Sequence, residues 1–185
     1  MNNLLDEQFL TADKAFNQFI SREYKNLISN EETKKLFTPF TIKNNLIDNL
    51  REGEKGVLII MDCLRSEQWK SMSNSLFSDF KIETNYQSSI IPSTTFYSRN
   101  AIFSGLFPID LYKQNSKIYD KMIESENNYN KFEHDLLREQ LNRYDLNNIS
   151  NNYIKISSYE YGKSLSKNIK NFKNIDLLCI VVNFI

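Results

Sequence analysis

Two side chains of this sequence could share a phosphoryl-transfer reaction. Asp62 closes the apolar run GVLIIMDCLR, and Thr95 stands near the head of TTFYSRNAIFSGLFP. In open α/β sheets, ligands gather beyond the carboxyl ends of the strands, so an aspartate directly after a strand faces that crevice. Its carboxylate can hold a divalent cation, or it can simply cap the next helix through the turn at residues 62–64. A hydroxyl at a helix start sees unpaired backbone N–H groups and the positive end of the helix dipole, which stabilise an alkoxide and bind phosphate oxygens. An ordinary N-cap is the plainer use of threonine there. A metal-bound carboxylate beside it would turn the weak hydroxyl into a competent nucleophile, and that pairing points to metal-assisted phosphoryl transfer.

Other polar groups add little to this pair. Arg99 and Asn100 lie four and five residues into the helix, and helical spacing lets only one of them face the crevice; both are candidate substrate contacts. Arg65 reads as a structural partner for an acidic neighbour at the strand end. The single histidine, His134 in FEHDLLREQL, reads as a solvated helix residue. Asp176 precedes an apolar strand and so sits at the wrong end to serve as a ligand. Cys63 and Cys179 have no partners at metal-ligand spacing and read as reduced core thiols.

The elements that must position Asp62 and Thr95 follow from pattern. GVLIIM is short, apolar and rich in branched residues, as expected of a strand buried on both faces. LRSEQWKSMSNSLF reads as a helix and FKIETNYQ as a second strand. Pro92 disfavours helix at Ile91, so the next helix begins near Thr95 and ends by Gly105. FEHDLLREQLNRY is a strong amphipathic helix, YIKISS a strand, YEYGKSLSKNIKNF a weaker helix, and DLLCIVVNFI a fully apolar strand. The alternation predicts an α/β fold with a mostly parallel sheet and flanking helices. An N-terminal helical segment precedes it. Thr11 is the expected cap of a run with Ala15, Phe16, Phe19, Ile20 and Tyr24 at helical spacing. Ile42 to Leu50 forms a second run that stops before Gly53. The expected division is residues 1–53 and residues 54–185.

Composition limits the function classes. The chain has 185 residues, 41% hydrophobic and 25% charged, which is globular rather than disordered. Its 23 basic and 23 acidic residues cancel, so bulk charge draws it to neither nucleic acid nor membrane. No stretch approaches the length of a membrane span, and MNNLLDEQFLTADK has no features of a signal peptide, so a cytoplasmic protein is expected. Asn-rich runs such as NNYNKF and DLNNISNNY read as polar surface and loop.

VLIIMDCLR resembles the metal-binding first strand of the alkaline-phosphatase superfamily, and PSTTFYSRNAIFSGLFP resembles its nucleophile helix. The wording is most similar to PglZ-type domains, especially the output domain of PorX-type response regulators. The resemblance is carried by residues 56–108 and extends less closely over 9–55 and 170–185. It implies that Thr95 is the nucleophile and that Asp62 and Thr95 are ligands of one of two zinc ions. It also implies a phosphatase or phosphodiesterase acting on a phosphate-ester or oligonucleotide-like substrate, with signalling partners possible. Further Asp and His ligands are expected in such a site, and IVVNFI resembles the strand leading into an Asp-x-x-x-His motif. The chain is therefore expected to be the N-terminal part of a longer protein and inactive alone. A non-catalytic interaction module and a PglZ protein of a phage-defence system are the alternatives.

Overall fold

The computed structural model describes residues 2–125 and 130–183. Part of the NNYNKF loop and the last two residues of the apolar terminal run lie outside the described residues. Contacts divide the chain into two compact units, residues 1–37 and 38–185.

The first unit is dominated by one helix, α1 (Asn2–Ser29). Thr11 does not cap it. It lies inside the helix, with its hydroxyl donating to Glu7 O at 2.8 Å, because the preceding residues are themselves good enough helix formers to start the run earlier. After the helix, Asn30 accepts the backbone N–H of Glu32 at 2.9 Å and turns the chain.

The second unit opens with two short helices, α2 (Thr41–Asn45) and α3 (Ile47–Arg51), broken at Leu46 where a single helix was expected. Gly53, at φ 82, ends the run as the sequence indicates. Strand β1 (Gly56–Met61) follows, then α4 (Ser66–Ser73), shorter at both ends than expected. Residues 80–87 are not a strand. Phe80 and Tyr86 are 63% and 90% exposed, so the alternation in FKIETNYQ has no sheet or core to face. Helix α5 (Thr95–Ser104) has the expected bounds and ends at Gly105 in the left-handed region. Helices α6 (Pro108–Gln114), α7 (Ser116–Glu124) and α8 (Glu133–Arg143) lead to strand β2 (Asn151–Ile156), helix α9 (Tyr159–Asn168) and strand β3 (Leu177–Val182).

The three strands form one parallel sheet in the order β1-β3-β2, with Gly56 and Asn151 both in register with Leu177. The last strand in the chain is thus the central one, which is why LLCIVV can be apolar on both faces. Leu177, Cys179 and Val181 join a core with Ile42, Ile47, Phe103, Leu136, Leu137 and Leu141. Leu178 and Ile180 pack with Ile154, Ile156 and Leu165 on the other face. Each such side chain contributes roughly 1.5–3 kcal/mol on burial. Burial also pushes the Cys179 thiol up to about 12, so it is the inert core thiol expected. Cys63 is not: it is exposed. Asp176 accepts the backbone N–H and hydroxyl of Ser150 at 2.7 and 2.8 Å, and so ties the starts of β3 and β2. Among the described residues no helix is long and apolar enough to cross a membrane.

Candidate functional site

The sheet ladder carries Asp62 one residue past β1. Its backbone N–H donates to Val182 O at 2.9 Å, and Cys63, at φ 59, then turns the chain away. A left-handed conformation at a non-glycine residue is uncommon, and such positions concentrate where a side chain must be held in one place. Here it leaves Asp62 at the carboxyl edge of the sheet, with its side chain 20% exposed.

The approach to Thr95 runs through a cis Ile91–Pro92 bond. Thr94, not Thr95, is the N-cap residue of α5, with extended φ −63 and ψ 148 and no side-chain capping bond. Thr95 is the first residue of the helix and is exposed. Its hydroxyl is therefore not consumed as the ordinary cap, and the first-turn amides and the dipole remain beside it.

Helical geometry then connects the two. Thr95 and Arg99 are four residues apart and lie on one face of α5. Arg99 reaches from that face to the sheet edge, where Nη1 donates to Asp62 Oδ2 at 2.6 Å. Its other two donating edges go to Glu133: Nε to Oε1 at 2.6 Å and Nη2 to Oε2 at 2.8 Å. This is the two-pronged match between guanidinium and carboxylate that makes arginine the residue for planar ion pairs. Glu133 is fully buried and also accepts the Tyr153 hydroxyl and, at 2.9 Å, Asn130 Nδ2. Asn130 Nδ2 lies 3.3 Å from Thr95 O as well, which ties the head of α5 into the same network.

The electrostatics follow from those contacts. Burial works against the charged form of Arg99, but the hydrogen bonds and charges of Glu133 and then Asp62 outweigh it and raise the guanidinium above its ordinary value. Burial, followed by the adjacent Glu133 charge, raises the Tyr153 hydroxyl well above the usual phenol range, so it stays a hydrogen-bond donor. Removing one member of a buried set of this kind typically costs on the order of 3–5 kcal/mol, because the other charge is left unpaired.

The structure thus brings Asp62, Arg99 and the head of α5 together, and places the remaining sequence candidates elsewhere. Asn100 is buried, with Nδ2 donating to Phe96 O at 2.7 Å within its own helix. Arg65 is exposed at the start of α4, where its backbone N–H donates to Gln68 Oε1; the ion pair at the strand end is made by Arg99 instead. His134 is not simply solvated. It is half-buried, stacked on Tyr153 with ring centres 6.1 Å apart, and its Nε2 lies 3.0 Å from Asn151 Oδ1.

Glu133 and Tyr153 escaped the sequence reading. A signal was available for Glu133: it falls in line with Leu137, Gln140 and Leu141 on the buried stripe of α8, where a charged residue needs a partner.

As a cation site the set is a fit in part. Asp62 is a partly exposed carboxylate, a hard oxygen donor, but its Oδ2 is taken by Arg99; the Thr95 hydroxyl is an exposed oxygen at the head of α5. Among the described residues no three His, Cys, Asp or Glu side chains converge as a closed site would need. A sequence model of the family described as BREX system PglZ alkaline phosphatase-like domain matches residues 42–185. No curated protein matches the chain.

Proposed function

We infer that this chain, which belongs to the PglZ family of alkaline phosphatase-like domains, provides the nucleophile side of a phosphate-ester hydrolase. The observation that carries the reading is Thr95, exposed at the first position of α5 with its hydroxyl not used as the cap. Thr95 is the nucleophile and, with Asp62, this chain's share of a divalent cation site; Arg99, buried in its ion pairs, and Asn100, buried and bonded to Phe96 O, are not placed for contact with substrate.

The family is one of generally metal-dependent hydrolases. Zinc is the metal proposed here; when bound, it would promote ionisation of the attacking hydroxyl and offset charge on the phosphoryl oxygens. The chain's own residues do the rest. The first turn of α5 offers amides and dipole to a phosphate oxygen. The Thr95 oxygen forms a bond to phosphorus as the ester oxygen departs, the hydroxyl proton passing to solvent and the leaving oxygen taking one from it. Water then releases the phosphoryl group from Thr95. The substrate class is a phosphate ester, with diesters favoured, and the remaining ligands are supplied by groups other than those described.

Residues 1–53 are proposed as the helical lead-in to a regulator-type output domain over 54–185, acting in the cytoplasm. The family description favours a phage-defence setting as the other context. A second reading, a non-catalytic interaction module, is favoured by the engagement of Asp62 with Arg99, because an ion-paired carboxylate already has a structural use. Hydrolysis of bis(p-nitrophenyl) phosphate with added zinc separates the two. Thr95→Ala is expected to bring turnover down to the level of zinc in buffer while leaving the circular dichroism spectrum intact. Turnover unchanged by that substitution would remove Thr95 from the mechanism and favour the module.

A further inference from the structure

We propose that α1 is a self-association element, whose apolar face packs antiparallel against α1 of a second copy of this chain. The inference goes beyond the hydrolase reading and does not depend on it.

Leu5, Phe9, Ala12, Phe16 and Phe19 follow one another at alternating steps of four and three residues, the spacing of a coiled-coil seam. Ile20 widens the same stripe. Every residue from 4 to 19 is exposed, and Leu5, Phe9, Phe16 and Phe19 are 52%, 68%, 56% and 49% exposed. The far end of the helix is occupied within its own unit: Tyr24 packs edge-on against Phe37, and Leu27 O accepts the Thr33 hydroxyl at 2.6 Å. Isolated helices are marginal in water, and amphipathic ones gain stability by burying the apolar face, so an open stripe of this length calls for a cover.

Charge decides what the cover is. Asp6, Glu7 and Asp13 make the first half of α1 acidic, and Lys14, Arg22 and Lys25, against Glu23 alone, make the second half basic. Such a gradient can serve the helix's own dipole, but only from the end turns, and here the first turn holds no acidic residue and the last no basic one. The gradient fits a second copy that runs the other way. Set Phe9 level with Phe19 of the second copy, and Ala12 comes level with Phe16 of the second copy, so that a large side chain packs over a small one. The same alignment brings Asp6 level with Arg22 of the second copy and Asp13 beside Lys14 of the second copy. A parallel pair would instead set Asp6, Glu7 and Asp13 each against its own like. Surface charges of this kind choose the orientation, while apolar burial supplies the affinity. The exposed parts of three phenylalanine rings from each copy come to roughly 600 Å², and the aliphatic side chains extend this towards the size of about 1,000 Å² that a specific interface needs.

Sedimentation velocity of the full chain over a dilution series tests this. The parent is expected to be a reversible dimer. Phe16→Glu, in the middle of the seam, should leave a monomer, whereas Gln18→Glu, which adds the same charge to the opposite face of α1, should dimerise as the parent does. Reversing the acidic half, by Asp6→Lys, Glu7→Lys and Asp13→Lys together, should weaken the dimer about fivefold, because basic halves then face basic halves. Adding Lys14→Glu, Arg22→Glu and Lys25→Glu restores the match and should restore parental affinity. Both charge variants leave the seam intact, so they keep the test decisive if Phe16→Glu disturbs α1 itself. A parent chain that stays monomeric at about 100 μM would give the stripe to a different partner and overturn the proposal. So would a Phe16→Glu dimer as tight as the parent's, or an acidic-half reversal that leaves the affinity unchanged, as a parallel pair would.

Discussion

Gly105 and Gln140 meet where helix α5 ends, and the glutamine lies where a side chain at Gly105 would have to go. Gly105 is in the left-handed region at φ 65, and a Cβ built on it would lie 2.7 Å from Gln140 Cδ and 3.1 Å from Cγ. Gln140 is fully buried, and its amide satisfies its neighbours when the nitrogen is assigned to the side facing the helix end, where it donates to Phe103 O at 2.9 Å and Ile102 O at 3.2 Å. The glutamine therefore occupies the space a side chain would take, and uses it to satisfy the last carbonyls of the helix that carries Thr95 and Arg99.

Gly105→Ala is accordingly expected to destabilise the fold by about 2–4 kcal/mol. Left-handed backbone at alanine accounts for part of this, and displaced Gln140 bonds for the rest. Urea denaturation measures it. A loss below about 0.5 kcal/mol, the range of ordinary surface changes, would show that Gln140 gives way freely.

Much of this was legible in the sequence where one signal had one meaning. GVLIIM, the apolar LLCIVV, the start of α5 at Thr95 after Pro92 and its stop at Gly105 all followed from local pattern, and each is where the chain puts it; but GVLIIM is not buried on both faces as expected, since β1 ends the strand order and leaves Val57 and Ile59 exposed. FKIETNYQ failed because alternation describes a strand's faces but not whether a neighbouring strand exists to pair with it. The break at Leu46 and the interior placing of Thr11 failed for a different reason: helix boundaries depend on packing and on competing starts that propensity does not rank. At the site, the sequence could name Asp62 and Thr95 but not their connector. Arg99 was assigned towards substrate, and Glu133, 34 residues away, becomes its partner only when α5 and α8 are packed together.

Asp176 gives the fold an acid-sensitive joint. Hydrogen bonds from the Ser150 hydroxyl and then its backbone N–H hold the carboxyl below its ordinary value of 3.8. A carboxylate with a depressed folded value adds stability above the unfolded value, and loses it as pH falls through the folded one. The gap in stability between the parent and Asp176→Asn should therefore be constant near neutrality and shrink below about pH 4. Denaturation midpoints from pH 7 to pH 2.5 test this. A gap that stays constant across the range would mean that the Ser150 bonds do not favour the ionised form.

Cys63 supplies the last test, because it separates backbone conformation from side-chain chemistry beside Asp62. The residue is exposed, so its thiol buries nothing, yet its φ of 59 is one that L-residues avoid. If the turn after β1 holds that conformation in order to fix Asp62, the ranking of replacements is set by sterics alone. Glycine should be tolerated, since it enters this region freely, its gain there roughly offset by the greater freedom of its unfolded chain. Valine should cost about 1–2 kcal/mol, because a branched Cβ crowds the following carbonyl. Urea denaturation of Cys63→Gly and Cys63→Val gives the comparison. Equal stabilities would show that the turn relaxes to ordinary backbone when asked, in which case the position of Asp62 depends on Arg99 and on the ladder bond to Val182 rather than on the turn.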